Sequence, residues 1–157
     1  MSEAISISAT DKRSKYEELF PQLASLIGSE SDTIANMANL CAALKDTFNF
    51  FWIGFYIVKG DQLVLGPFQG PIACTRIGFG KGVCGTAWKK GETLVVSDVN
   101  AFPGHIACSS LSKSEIVVPV HCDGKVIAVL DVDSDQQSFF DEIDAHYLEK
   151  IVGLLKF

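Results

Sequence analysis

No stretch of about 18 consecutive apolar residues occurs in the 157-residue sequence, so nothing in it reads as a membrane-spanning helix. The opening residues, Met-Ser-Glu-Ala-Ile-Ser-Ile-Ser-Ala-Thr, lack the basic start and apolar run of a secretory signal, and a cytoplasmic location is expected. Basic residues are in the minority: 13 Lys and Arg against 19 Asp and Glu leave a net charge of −6, which argues against a nucleic-acid partner. There is no closely spaced cysteine pair of the kind zinc modules or thioredoxin-like motifs use, so no metal site is expected, and no other cofactor is called for. Five cysteines, an odd number, do not make a disulfide scaffold. Internal repeats and low-complexity tracts are also missing.

What is present suits one compact domain. Hydrophobic residues make up 48% of the chain and aromatics 10%, enough to build a core and to exclude intrinsic disorder. Residues 1–14 are polar and read as a flexible leader, with the folded domain over 15–157. Apolar residues at Tyr16, Leu19, Phe20, Leu23 and Leu26 predict a helix closed by Gly28. Ile34, Met37, Cys41, Leu44 and Phe48 predict a second helix, capped by Ser31 or Asp32. Phe140, Ile143, Tyr147, Ile151 and Leu154 predict a last helix starting near Asp141. Between them the period falls to two. Strands are expected over Phe50–Val58, Gln62–Leu65, Thr93–Val96, Ser114–His121 and Lys125–Ser134, with a short helix after the glycine-rich stretch Gly78–Gly85. Helices, then an antiparallel sheet, then a closing helix give an α+β fold, the helices packed on a central sheet.

Alternation assigns the faces. If Cys122-Asp123-Gly124 form a three-residue loop, Ile116, Val118, Val120, Val126, Ala128, Leu130 and Val132 share one apolar face. Glu115, Asp131 and Asp133 then gather at one end of the other face. A two-residue turn at Asp123-Gly124 would mix acids with apolar residues, so the segregated register is preferred. On alternation alone the acids are either a solvated rim or a site for a cation such as an ammonium. Crowded carboxyls also raise at least one pKa, leaving an acid that can give a proton. On the first strand, Phe51, Ile53, Phe55 and Ile57 face the core. Trp52 and Tyr56 flank a gap with no side chain at Gly54 on the other side, either as packing under a helix or as an aromatic wall.

The cysteines sort by setting. Cys41 falls in a helical apolar stripe and is core; Cys122 lies in a tight turn. Cys74, Cys84 and Cys108 sit in glycine-rich irregular segments, where thiols can pair and exchange if their Cα atoms come within about 7 Å. Cys84, at the entrance of a helix, and Cys108, following the turn Gly104–Ala107 with its free N–H groups, are each in a setting that would favour thiolate.

These segments resemble a known family. Gly54-Phe55-Tyr56, Leu65–Gly70, Gly82-Val83-Cys84-Gly85-Thr86-Ala87, Gly104-His105-Ile106-Ala107-Cys108, Ser114–Pro119 and Leu130–Ser134 together are similar to the free methionine-(R)-sulfoxide reductases, which are stand-alone GAF-domain enzymes. The resemblance covers nearly all the chain after about residue 15. It implies a single GAF-like domain that reduces free methionine (R)-sulfoxide: a cysteine thiolate takes the sulfoxide oxygen as a sulfenic acid, a second cysteine closes a disulfide, and thioredoxin reopens it. By motif position it casts Cys108 as the attacking residue and Cys74 as the recycling one. Cys84 is left as the third member, and either Cys74 or Cys84 can resolve Cys108. It places Glu115, Asp131 and Asp133 in the binding site and Trp52 and Tyr56 as the aromatic wall. Crowding of the three carboxyls, with no lysine or histidine beside them on that face, makes Asp133 or Glu115 the expected proton donor. Two positions depart from the expected pattern: Ser109 stands where an acid is expected, and Trp88 where a small residue is. The competing reading is a GAF-type module that binds a small molecule without turnover.

Overall fold

The computed structural model describes residues 4–157. In chain order the elements are α1 (Lys12–Gly28), α2 (Thr33–Phe48), β1 (Trp52–Lys59), β2 (Gln62–Gln69), β3 (Arg76–Gly78), α3 (Gly82–Lys90), β4 (Leu94–Val96), a 3₁₀ turn (Val99–Ala101), β5 (Ser114–Cys122), β6 (Lys125–Ser134) and α4 (Glu142–Val152). The six strands form one antiparallel sheet in the order β3-β2-β1-β6-β5-β4. The α+β reading holds. The short strand β3 was not expected, since three residues carry too little periodicity to register.

Side chains from α1, α2 and α4 pack with Ile53 and Phe55 of β1, Ile116, Val118 and Val120 of β5 and Ala128, Leu130 and Val132 of β6. On the opposite face Trp52, Tyr56, Val117 and Val129 meet α3 through Val83, Cys84 and Ala87. Phe51 belongs with this second group rather than with the helical core assigned to it. Ile34 is also out of place against expectation, at 53% exposed, while Leu40 takes the buried position on α2.

Helix ends follow their caps. Asp11 accepts from Ser14 N and starts α1 at Lys12, earlier than the apolar pattern indicates. Upstream of it, Ser6 and Ser8 donate backbone N–H groups to Gln22 and Glu18, and Ile5 and Ile7 pack on the core. Asp141 and Asp144 form a capping box at α4. Asp144 is fully buried yet satisfied, accepting from Tyr16 Oη at 2.7 Å and Lys12 Nζ at 2.6 Å.

The final hairpin reaches the expected faces by a different route. Cys122 pairs with Lys125, so the turn has two residues, Asp123 (φ 51°) and Gly124 (φ 76°), both left-handed as a type I′ turn requires. The register then shifts once: His121 pairs with Val126 but Val120 with Ala128. Ile127 is therefore an extra residue, a β-bulge that turns all later side chains over. Val126 consequently lies against the second cluster, and Ile127 packs on the helical core in its place. A similar shift in β2, where Gly54 pairs with Phe68 and Tyr56 with Leu65, accommodates Gly66-Pro67.

Candidate active site

Strand register assembles the acids. Asp133 stands between Trp52 of β1 and Glu115 of β5, and Asp131 between Gly54 and Val117. Neighbouring strands lie about 4.8 Å apart, so the three carboxyls are forced together on the face that α3 covers. They are not a solvated rim. Glu115 and Asp131 are buried, with Asp133 beside them, and all three line one cavity. That cavity is open to solvent at its mouth.

Burial decides the charge on this floor. It pushes Glu115 and Asp133 well above the usual carboxyl range, with the negative charge of Asp131 adding to the effect. Burial also raises Asp131, to about 6, against hydrogen bonds with Glu115 and Cys84 that favour its ionised form. Burial therefore favours the protonated forms of Glu115 and Asp133, and Asp131 is the acid that ionises most readily near neutral pH. Asp133 Oδ1 accepts from Ser112 Oγ at 3.0 Å, and Asp131 Oδ1 is buried with no hydrogen-bond partner.

Raised acids set a direction for stability. The folded protein keeps protons that the unfolded chain, near the ordinary values of 3.8 and 4.5, has already lost. Stability from these groups is therefore full at low pH and declines as pH rises through the folded values, including about 6 for Asp131. The urea midpoint is expected to be lower at about pH 8 than at about pH 5, and Asp131→Asn to narrow that gap. An unchanged gap would show that Asp131 is not the group titrating.

Trp52 and Tyr56 form one wall. Their rings stack at 6.0 Å, Trp52 also stacks on Phe68 at 5.5 Å, and their polar tips are fixed by Pro71 O at 3.0 Å and Cys74 O at 2.9 Å. The position between them is not an open gap. The Trp52 indole lies over Gly54, where a Cβ would overlap both the ring and Phe68 Cβ. Gly54→Ala is thus expected to cost about 1–3 kcal/mol by overpacking and to raise KM by displacing the wall. A crystal structure or melting curve showing no shift would remove this role for Gly54.

A disulfide lies at the mouth. Cys74 and Cys108, 34 residues apart, are joined by a disulfide with Cα atoms 5.5 Å apart. Cys108 is exposed and Cys74 half-buried. The Cys108 loop does not offer all the free amides expected of it, since His105 N–H donates to Phe102 O and Cys108 N–H to Ile106 O.

Cys84 departs further from expectation. It sits in the first turn of α3, not in a loop, and is 3% exposed. Burial and the nearby charges of Asp131 and Glu115 push its thiol well up, overriding the helix N-terminus. Its Sγ lies 3.9 Å from Glu115 Oε1. Helix α3 comes this close to the preceding loop because residue 85 is glycine: a Cβ there would collide with Gly78 O.

Two residues join the site that alternation could not place. The loop after the 3₁₀ turn brings His105 Nε2 to 3.7 Å from Glu115 Oε2, although no histidine was expected beside the acids. Burial lowers the His105 pKa and raises that of Glu115, so both shifts work against an ion pair here. Ser112, the donor to Asp133, comes from the same loop. Of the two unusual positions, Ser109 lines the cavity, whereas Trp88 packs edge-on against Phe79 at 4.8 Å.

Comparison with known proteins agrees with this geometry. Residues 29–157 match the GAF domain family. A solved structure of free methionine-R-sulfoxide reductase from Neisseria meningitidis, in complex with its substrate, is 56% identical and superposes with a TM-score of 0.95, covering 96% of this chain and 92% of that one. The free methionine-R-sulfoxide reductase of Escherichia coli K12 is 41% identical over 147 residues, 93% of this chain and 89% of the relative. The chain belongs to the free methionine-R-sulfoxide reductases. GAF domain-containing protein A of Dictyostelium discoideum is 60% identical over 156 residues, 99% of both chains. In this member of the reductase family, an acid floor, an aromatic wall and a cysteine pair at the mouth surround one cavity.

Proposed function

We propose that the protein reduces free methionine (R)-sulfoxide to methionine, with Cys108 as nucleophile and Cys74 as its resolving partner. The observation that carries the reading is a disulfide at the mouth of a cavity floored by three crowded carboxyls. The Cys108 thiolate attacks the sulfoxide sulfur while an acid protonates the oxygen. Methionine departs and Cys108 is left as a sulfenic acid. Cys74 thiol then condenses with it, forming the disulfide and water. A dithiol protein of the thioredoxin type returns both thiols, in keeping with a cytoplasmic setting. Cys84, buried and with its thiol pushed up, is poorly suited to either role. The decisive test is methionine release from the (R)-sulfoxide under a dithiol reductant. A chain that binds the sulfoxide without turnover would be a sensor module instead.

The acid floor also accounts for choice of substrate. The acid that ionises most readily, Asp131 in this reading, suits the α-ammonium of a free amino acid. N-acetylated or peptide-bound methionine sulfoxide would bury a neutral amide beside it and leave the carboxylate unpaired, at about 1–3 kcal/mol. A fall in kcat/KM of roughly tenfold to a hundredfold is expected for N-acetylmethionine sulfoxide. Equal rates on free and N-acetylated substrate would remove the ammonium from this site.

A further inference from the structure

We propose that the floor of this cavity is also a zinc site, with Cys84, Glu115, Asp131 and His105 as ligands, and that zinc and substrate exclude one another. The exclusion rests on the reading of the cavity as the substrate site; the zinc site itself does not. Ligand atoms of Cys84, Glu115 and Asp131 all lie within 4.8 Å of one another, and all three residues are buried. His105 Nε2, 3.7 Å from Glu115 Oε2, supplies a fourth donor facing the same cavity. Tetrahedral zinc, with bonds of about 2.0–2.3 Å, needs its ligand atoms about 3.3–3.8 Å apart, so a contraction on the order of 1 Å seats Cys84, Glu115 and Asp131, and His105, which lies outside that mutual group, turns in to complete the shell.

The floor also has an unmet need for a cation. Among the described residues, Asp131 Oδ1 is the only buried side-chain polar atom without a hydrogen-bond partner, in a residue 6% exposed. One sulfur, one imidazole and two carboxylates suit zinc better than calcium or magnesium, which take oxygen shells of six or more. Neither redox-active cysteine is needed, because Cys84 stays free while Cys74 and Cys108 are bonded. Binding changes no oxidation state: Zn²⁺ displaces the Cys84 thiol proton and the Glu115 carboxyl proton, both of which pass to the buffer.

The test uses tag-free oxidised protein carrying Cys122→Ser, so that Cys84 and the core residue Cys41 are the remaining free thiols. Zn²⁺ is titrated against a chromophoric chelator. One equivalent is expected to bind, and Cys84→Ser, Asp131→Asn and His105→Ala are each expected to weaken it tenfold or more. Co²⁺ in place of zinc should show a thiolate charge-transfer band that Cys84→Ser removes, and circular dichroism confirms that each variant is folded. Saturating methionine sulfoxide should weaken zinc tenfold or more. Zinc affinity indifferent to both Cys84→Ser and Asp131→Asn, or no stoichiometric binding, overturns the site. Zinc held through Cys84 but undisturbed by methionine sulfoxide overturns the exclusion and faults the substrate reading instead.

Discussion

Cys108→Ser is expected to abolish methionine release, under dithiothreitol as well as under thioredoxin. Attack on the sulfoxide sulfur needs a soft, ionised nucleophile, and a serine hydroxyl stays protonated at any pH the fold tolerates. Cys108 is the exposed member of the disulfide at the cavity mouth, so it is the sulfur an entering substrate meets. The variant also loses a bond that closes a 34-residue separation, and some stability goes with it. Reduced wild-type protein is therefore the correct folding control. Cys74→Ser separates the roles: it should release one methionine per chain and then stall with thioredoxin. Wild-type turnover in Cys108→Ser would sink the assignment of the nucleophile. Undiminished thioredoxin cycling in Cys74→Ser would return Cys84 as the resolving residue.

Much of this site was legible because it lies on regular strands. Alternation alone groups Glu115, Asp131 and Asp133 opposite the apolar residues, and the register realises that grouping. Yet the turn that justified the grouping is wrong. A bulge at Ile127 compensates for a two-residue turn, and a bulge leaves no periodic signature in one sequence. Gly54 misled in another way. It suggested an opening between Trp52 and Tyr56, whereas the glycine makes room for the indole itself.

Loop residues were harder. His105 and Ser112 reach the acids through the segment between the 3₁₀ turn and β5, whose path depends on tertiary contacts rather than local pattern. Cys84 shows how burial reverses a sequence expectation. A helix N-terminus lowers a thiol pKa by a modest amount, while loss of water and two neighbouring acids raise it by more. Only packing reveals which of these opposing effects is larger.

Asp133→Asn is expected to slow the chemical step by about 10²–10⁴ while leaving substrate binding passable. The sulfoxide oxygen gains negative charge as sulfur is attacked, so an acid within reach must supply a proton during that step. Asp133 is suited to this because burial and the charge on Asp131 favour its protonated form. Its Oδ1 is held by Ser112 Oγ at 3.0 Å, which fixes the orientation of the carboxyl. Asparagine keeps the size and one donor but has no acidic proton to transfer. Asp131, raised only to about 6 and thus mostly ionised near pH 7, binds rather than donates, and Asp131→Asn should raise KM more than it lowers kcat. Glu115, also pushed up by burial and beside His105, is the alternative donor, and Glu115→Gln tests it. Single-turnover rates on all three variants decide the matter. If Asp133→Asn and Glu115→Gln both leave the methionine burst as fast as in wild type, the proton comes from neither acid, and the floor serves binding alone.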